Sequence, residues 1–221
     1  MLSCSDDPTG PGEVAIDFPN EIGWHWKYEL NRVKEFDTTI VDVNIVLDTT
    51  GANGKPATMW VLDYHGVLDT IVYQIGDSVY TFIGILPPND TCLVSINGDS
   101  VVIVNRGFFD FERIIYKYPF EIPMQWRWTD SWGRTDHVSE VISVGPVEVG
   151  EKAFPNAVRI ESIFYPSMII NWSYIRTSVW LVPDVGMVQA IENKIKYDNA
   201  TQTESYVEIN VWKLMEYKAP D

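Results

Sequence analysis

The sequence predicts an all-β fold: a curved antiparallel sheet or half-barrel meander with at most one or two short helices. Three observations carry this. Several segments alternate apolar and polar residues with a period of two, turn dipeptides recur between them, and no segment sustains a 3.6-residue period between caps. Nine Trp and eleven Tyr in 221 residues supply enough apolar area to offset the entropy of ordering the chain.

The first fourteen residues, 1–14, are polar and rich in Pro and Gly and read as a flexible tether, with residues 15–217 forming a single β domain. Residues 28–36 are the best helical candidate, and a short one. Val41, Val43, Ile45 and Leu47 alternate with Asp42, Asn44 and Val46, which is the pattern of a half-buried strand. Asn53-Gly54 before Lys55-Pro56 marks a reversal, and Pro87-Pro88-Asn89-Asp90 is a loop that no central strand continues through. Asn97-Gly98, between 93–96 and 100–104, suits a type I′ hairpin because both turn residues tolerate positive φ. Further breaks are expected at Gly145-Pro146, Gly150, Pro155, Pro166 and Pro183. Val158 and Ile160 face away from Arg159 and Glu161, and Val207, Ile209 and Val211 alternate with Glu208 and Asn210. Together these make about ten to twelve strands joined by short turns.

Two windows, Phe18-Pro19 through Trp26 and Tyr118-Pro119 through Trp126, look alike at a spacing of 100 residues. They raise a weak internal repeat of 18–117 and 118–217.

The formal net charge of −15 repels phosphate backbones and disfavours nucleic-acid binding. The acidic residues are scattered, as on a solvated surface. The two cysteines, Cys4 and Cys92, have no CxxC spacing and no neighbouring His, so neither a disulfide framework nor a zinc site is expected. His25, His65 and His137 each stand alone in their segments, without metal-ligand spacing. His25, flanked by Trp24 and Trp26, points away from both indoles if the segment is a strand. There is no G-x-S-x-G elbow, Ser-x-x-Lys, Walker or dinucleotide-binding glycine pattern, and residues 129–136 lack the oxygen spacing of an EF-hand. Asp63, Asp69 and Asp77 are the one set of carboxylates that suggests a glycosidase pair. No catalytic residue, metal or cofactor is expected, and the chain reads as a non-enzyme.

The aromatic residues are more informative. Trp24, Trp26 and Tyr28 share one face of a strand, as do Trp126 and Trp128, while Trp60, Trp132, Trp172, Trp180 and Trp212 complete the set. These rings either fill the concave side of the sheet or form a ligand surface. On the second reading Trp24, Trp26, Trp126, Trp128 and Trp180 are the ligand-binding candidates, either for a lipid or acyl chain in a groove or for a glycan stacked on exposed rings.

Leu2-Ser3-Cys4 resembles the end of a bacterial lipobox, and Ser5-Asp6-Asp7 resembles the acidic signal that follows the lipidated cysteine in surface-exposed lipoproteins of Bacteroidetes. The resemblance implies lipidation at Cys4, a membrane partner through that anchor, and a surface-exposed place on the outer membrane of a Gram-negative cell. Residues 146–160, and then Thr177-Ser178-Val179-Trp180 through the segment Pro183-Asp184-Val185-Gly186-Met187-Val188, resemble a set of uncharacterised bacterial envelope lipoproteins, with Asp184 standing where those have glycine. The likeness extends over residues 118–217 and is made of structural residues. It implies a curved antiparallel sheet similar to that of the periplasmic lipoprotein carriers, able to cup an apolar ligand. Gly186 has its own physical reason, relief of a bend in a strand that Pro183 has interrupted.

Overall fold

The computed structural model describes residues 18–50, 56–75, 78–82, 91–96, 99–104, 112–117, 120–129, 136–165, 173–198 and 200–220. Cys4, the tether, Asp77, Trp132 and Trp172 lie outside them. Fourteen strands are present and no helix, among the described residues. They are β1 (His25–Arg32), β2 (Asp37–Thr50), β3 (Pro56–Tyr64), β4 (Val67–Ile75), β5 (Ser78–Phe82), β6 (Thr91–Ile96), β7 (Asp99–Val104), β8 (Glu112–Lys117), β9 (Gln125–Thr129), β10 (Asp136–Val149), β11 (Lys152–Tyr165), β12 (Ser173–Val182), β13 (Gly186–Asp198) and β14 (Thr203–Lys218). Twelve of them make one antiparallel sheet in the order β8-β5-β4-β3-β2-β1-β14-β13-β12-β11-β10-β9; β6 and β7 form a separate hairpin lying against β2.

The sheet is two six-stranded meanders joined where the first strand, β1, pairs with the last, β14. It curls strongly, because β3 and β4 of one half line the same cavity as β12 and β13 of the other. Its edge strands β8 and β9 approach each other without hydrogen bonding, so the curl stops short of a closed barrel.

The helical reading of residues 28–36 is corrected. Trp26, Tyr28 and Leu30 are buried at alternate positions of β1, and residues 33–36 form a turn in which Phe36 has φ of 53°. A period of two with three large inward side chains outweighs the modest local preference for helix. Gly145-Pro146 and Pro155 do not end strands either. Pro146 lies within β10 and Pro155 within β11, where the register slips between the pairs Gly145–Ala157 and Val147–Phe154. At that level β10 has left β9, and β11 has not yet met β12, so both prolines sit in a bulge on free edges, where a missing N–H costs nothing.

The alternation at Val41, Val43 and Ile45 is as expected, all three being buried, while Asn44 is buried on the other face. Val158 and Ile160 are fully buried, opposite half-buried Arg159 and Glu161. In β14 the pattern marks a strand without a buried face at that point, since Val207 is exposed. On the outer face, Met59, Val61 and Val72 are buried on the side of the sheet that faces away from Trp60 and Tyr73.

The described parts of the two similar windows, 20–26 and 120–126, take the same path. Each has a turn at residues 22–23 or 122–123 and enters a strand at residue 25 or 125. The carbonyl before each strand accepts from the next strand, Trp24 O from Ile45 N at 3.1 Å and Met124 O from Val141 N at 2.9 Å. One pairing further out, β2–β3 slips register between Ile45 and Leu47, and β10–β11 slips between Val141 and Ser143. Ile45 faces Trp60 as Val141 faces Ile160. The bulges of the two halves thus fall at matching steps.

Candidate functional site

The inside of the curl holds two packed clusters. One gathers Trp26, Tyr28, Leu30, Val41, Val43, Ile45, Val185, Val188 and Leu214, and the other gathers Phe120, Trp126, Val141, Val158, Ile160, Val179, Leu181 and Ala190. Between them lies a cavity of about 250 Å³. Trp60, Leu62, Ile71 and Tyr73 wall it from the first half, and Val179, Met187, Ala190 and Trp212 from the second. Phe18, ahead of β1, closes part of it, its ring 5.9 Å from Trp60, 6.1 Å from Tyr73 and 5.8 Å from Tyr116.

One wall is built from stacked indoles. Trp24 lies 5.2 Å from Trp26 with the planes 9° apart, and Trp26 lies 4.9 Å from Trp60 at 10°. Parallel offset rings at these distances are held by more than area burial. Trp26 Nε1 donates to Val185 O at 2.7 Å and the Tyr28 hydroxyl donates to Met187 O at 2.8 Å, so the two β1 side chains are tied to the turn between β12 and β13 and to the start of β13. That turn depends on Gly186, whose φ of +89° is one that L side chains rarely adopt; a Cβ there would meet Pro19 at 3.6 Å and Trp26 Nε1 at 3.8 Å. Burial pushes the Tyr28 phenol well above its ordinary range, with Tyr116 and then Tyr73 adding to the effect.

Of the candidates read from the sequence, Trp26 lines the cavity directly, while Trp24 backs it as the outer member of the stack. Trp126 is buried in the second cluster and does not line the cavity. Trp128 is half-buried and pairs across β9–β10 with His137. Trp180 is half-buried under the Arg159 guanidinium, 5.3 Å from its ring. Trp60 and Trp212, which the sequence placed in the aromatic set but not among the ligand-binding candidates, and Tyr73 and Tyr116, which it did not mention, contribute more of the lining. Alternation shows that such residues share a face with their neighbours two positions away, but does not say which face turns inward.

His25 points to the outer face, as expected, its Nε2 2.9 Å from Asp42 Oδ1. His65 sits in an exposed turn with φ of 54°, and His137 is buried beside Ser139. Asp63 Oδ1 accepts from Gly66 N at 2.5 Å across the turn between β3 and β4, and Asp69 Oδ1 accepts from the adjoining Thr70 N at 2.8 Å within β4.

The sequence matches no protein-family model and no curated protein. Two solved structures are similar over most of its length. One is a candidate lipoprotein of Parabacteroides distasonis, 12% identical, with 92% of this chain and 98% of that one covered and a TM-score of 0.43. The other is a candidate exported protein with a YmcC-like fold from Bacteroides fragilis, 13% identical, covering 91% and 99%, with a TM-score of 0.44.

Proposed function

We propose that this is a non-enzymatic, lipid-anchored envelope protein that holds a small apolar molecule between the facing halves of its curled sheet. The cavity carries the reading: an aromatic-walled, partly open space lies where the sheet curls around two clusters bridged by Met187 and Trp212. Its size narrows the occupant. Pockets for drug-sized ligands span roughly 300–1,000 Å³, so a cavity of about 250 Å³ suits one short chain or a small ring system. Native mass spectrometry of protein purified from membranes tests this. The expected result is an adduct of low mass that is lost in Ala190→Trp, which fills the space; a clean apo mass for both proteins overturns it.

The anchor belongs to Cys4 and the outward orientation to Ser5-Asp6-Asp7. Cys4→Ala in the full-length precursor is expected to release the protein from membranes, and a variant that still sediments with them would refute the anchor. Glycan stacking has less support, since it needs open indole faces. Trp24, Trp26, Trp60, Trp126, Trp128, Trp180 and Trp212 are all buried or half-buried.

A further inference from the structure

The cavity lining is mostly apolar and aromatic, with the rings of Tyr28, Tyr73 and Tyr116 in it, and its one charged member is Glu192 on β13, which pairs across the strands with Thr177 on β12, also in the lining. Glu192 Oε1 accepts a 3.3 Å hydrogen bond from Nδ2 of Asn210, its neighbour on β14, and the same Nδ2 also donates to Glu208 Oε1 at 3.2 Å. Asn210 Oδ1 is buried and has no hydrogen-bond partner among the described residues. The cations of this region are committed elsewhere. Arg32, the β1 neighbour of Asn210, binds Asp37 at 2.8 Å, and Lys194 lies 3.7 Å from Glu208. Among the described residues no basic group lies within 4.0 Å of Glu192.

A half-buried carboxylate on the wall of a mostly apolar cavity, with one amide donor and no basic group within 4.0 Å among the described residues, is one half of an ion pair. We infer that the ligand completes it: the cavity selects an amphiphile with a short apolar tail and a protonated amine head, the ammonium seated on Glu192 beside Thr177 and Asn210. This rests on the apolar-ligand reading above and names its chemical class. A carboxylic acid with the same tail would set its charge against Glu192, so the same feature that attracts the amine rejects the acid. Tyr64 is a neutral donor in the neighbourhood of Glu192. Its phenol is pushed up to about 12 by burial first and then by Asp69, with Arg32 opposing and Glu192 adding.

Calorimetric titration of the full chain with n-octylamine, n-octanol and octanoic acid at neutral pH separates the two layers of the claim. Octylamine is expected to bind roughly tenfold or more tighter than octanoate, the margin of one charge-assisted hydrogen bond, with octanol between them. Glu192→Gln, checked for an unchanged denaturation midpoint, is expected to abolish that margin while octanol binding persists. If octanol binds but amine and acid bind the wild type equally, or the margin survives in Glu192→Gln, the head-group inference is overturned and the cavity reading stands. If none of the three binds, both are overturned.

Discussion

Trp26 and Trp126 occupy matching positions in the two halves of the sheet, each opening its half after the same turn, and their surroundings differ. Trp26 stands on β1, with β2 on one side and β14 on the other, stacked between two indoles, its N–H satisfied by Val185 O. Trp126 stands on β9, the last strand of the sheet, and its Nε1 is buried with no hydrogen-bond partner among the described residues. The same local instruction therefore yields a fully integrated core residue at the centre and a partly satisfied one at the edge. Position in the strand order, more than local sequence, sets what an indole contributes.

Truncation should show the difference most strongly. Large aromatic-to-alanine changes in cores cost about 3–5 kcal/mol; Trp26→Ala is expected at the top of that range and Trp126→Ala at the bottom, read from urea denaturation. Equal losses would break the comparison. Phe substitutions sharpen it, because they keep a ring and delete the N–H. Trp26→Phe leaves Val185 O unpaired whereas Trp126→Phe removes an orphaned donor, so the first should cost about 1–3 kcal/mol more than the second. Gly186→Ala, which forces a side chain onto the positive φ that anchors Trp26, is expected to cost about 1–2 kcal/mol.

Alkaline titration comes next. The Tyr64 phenol has a folded pKa raised from 10.0 to about 12. Its contribution to stability is therefore whole below pH 10 and lost as the pH climbs from 10 to about 12, since the unfolded chain gives up the proton first. Tyr28 shifts in the same direction, so absorbance at 295 nm should show tyrosines that ionise late and together with unfolding. A midpoint near 10 for every tyrosine would contradict the burial of both. The smallest effect belongs to the edge: Arg127 and Asp136 join β9 to β10 through two hydrogen bonds of 2.7 and 2.6 Å, but the arginine is solvated. The bond to Arg127 holds the Asp136 carboxyl below its usual range, so the benefit is present at neutral pH and fades as the pH falls through the carboxylate range. Arg127→Ala should barely move the denaturation midpoint.

Much of the sheet was legible because period-two alternation and turn chemistry are local. His25 faces away from its flanking indoles, Val158 and Ile160 turn inward, and strands β6 and β7 flank Asn97-Gly98 as an antiparallel pair. Residues 28–36 misled because their local composition tolerates helix, and what overrides it is burial against β12–β13, more than 150 residues away in sequence. Pro146 and Pro155 misled because whether a proline breaks a strand depends on which flank is paired. The cavity was the least visible feature. Trp60, Tyr73, Tyr116 and Glu192 come from four strands that meet only after the sheet curls, and no spacing in the chain records that meeting.

The pairing of β1 with β14 also governs the order in which the protein can be made. The central seam of the sheet joins the first described strand to the last, and Gly23 lies beside Pro220, which follows β14. Until β14 leaves the ribosome, β1 presents an unpaired edge and the indoles of Trp24 and Trp26 lack one of their flanking strands. Such long-range closure makes folding slow and late rather than progressive from the N-terminus. A nascent chain stalled before β14 would be a sticky, incomplete sheet, and the emergence of β14 would be the event that switches it to a folded one.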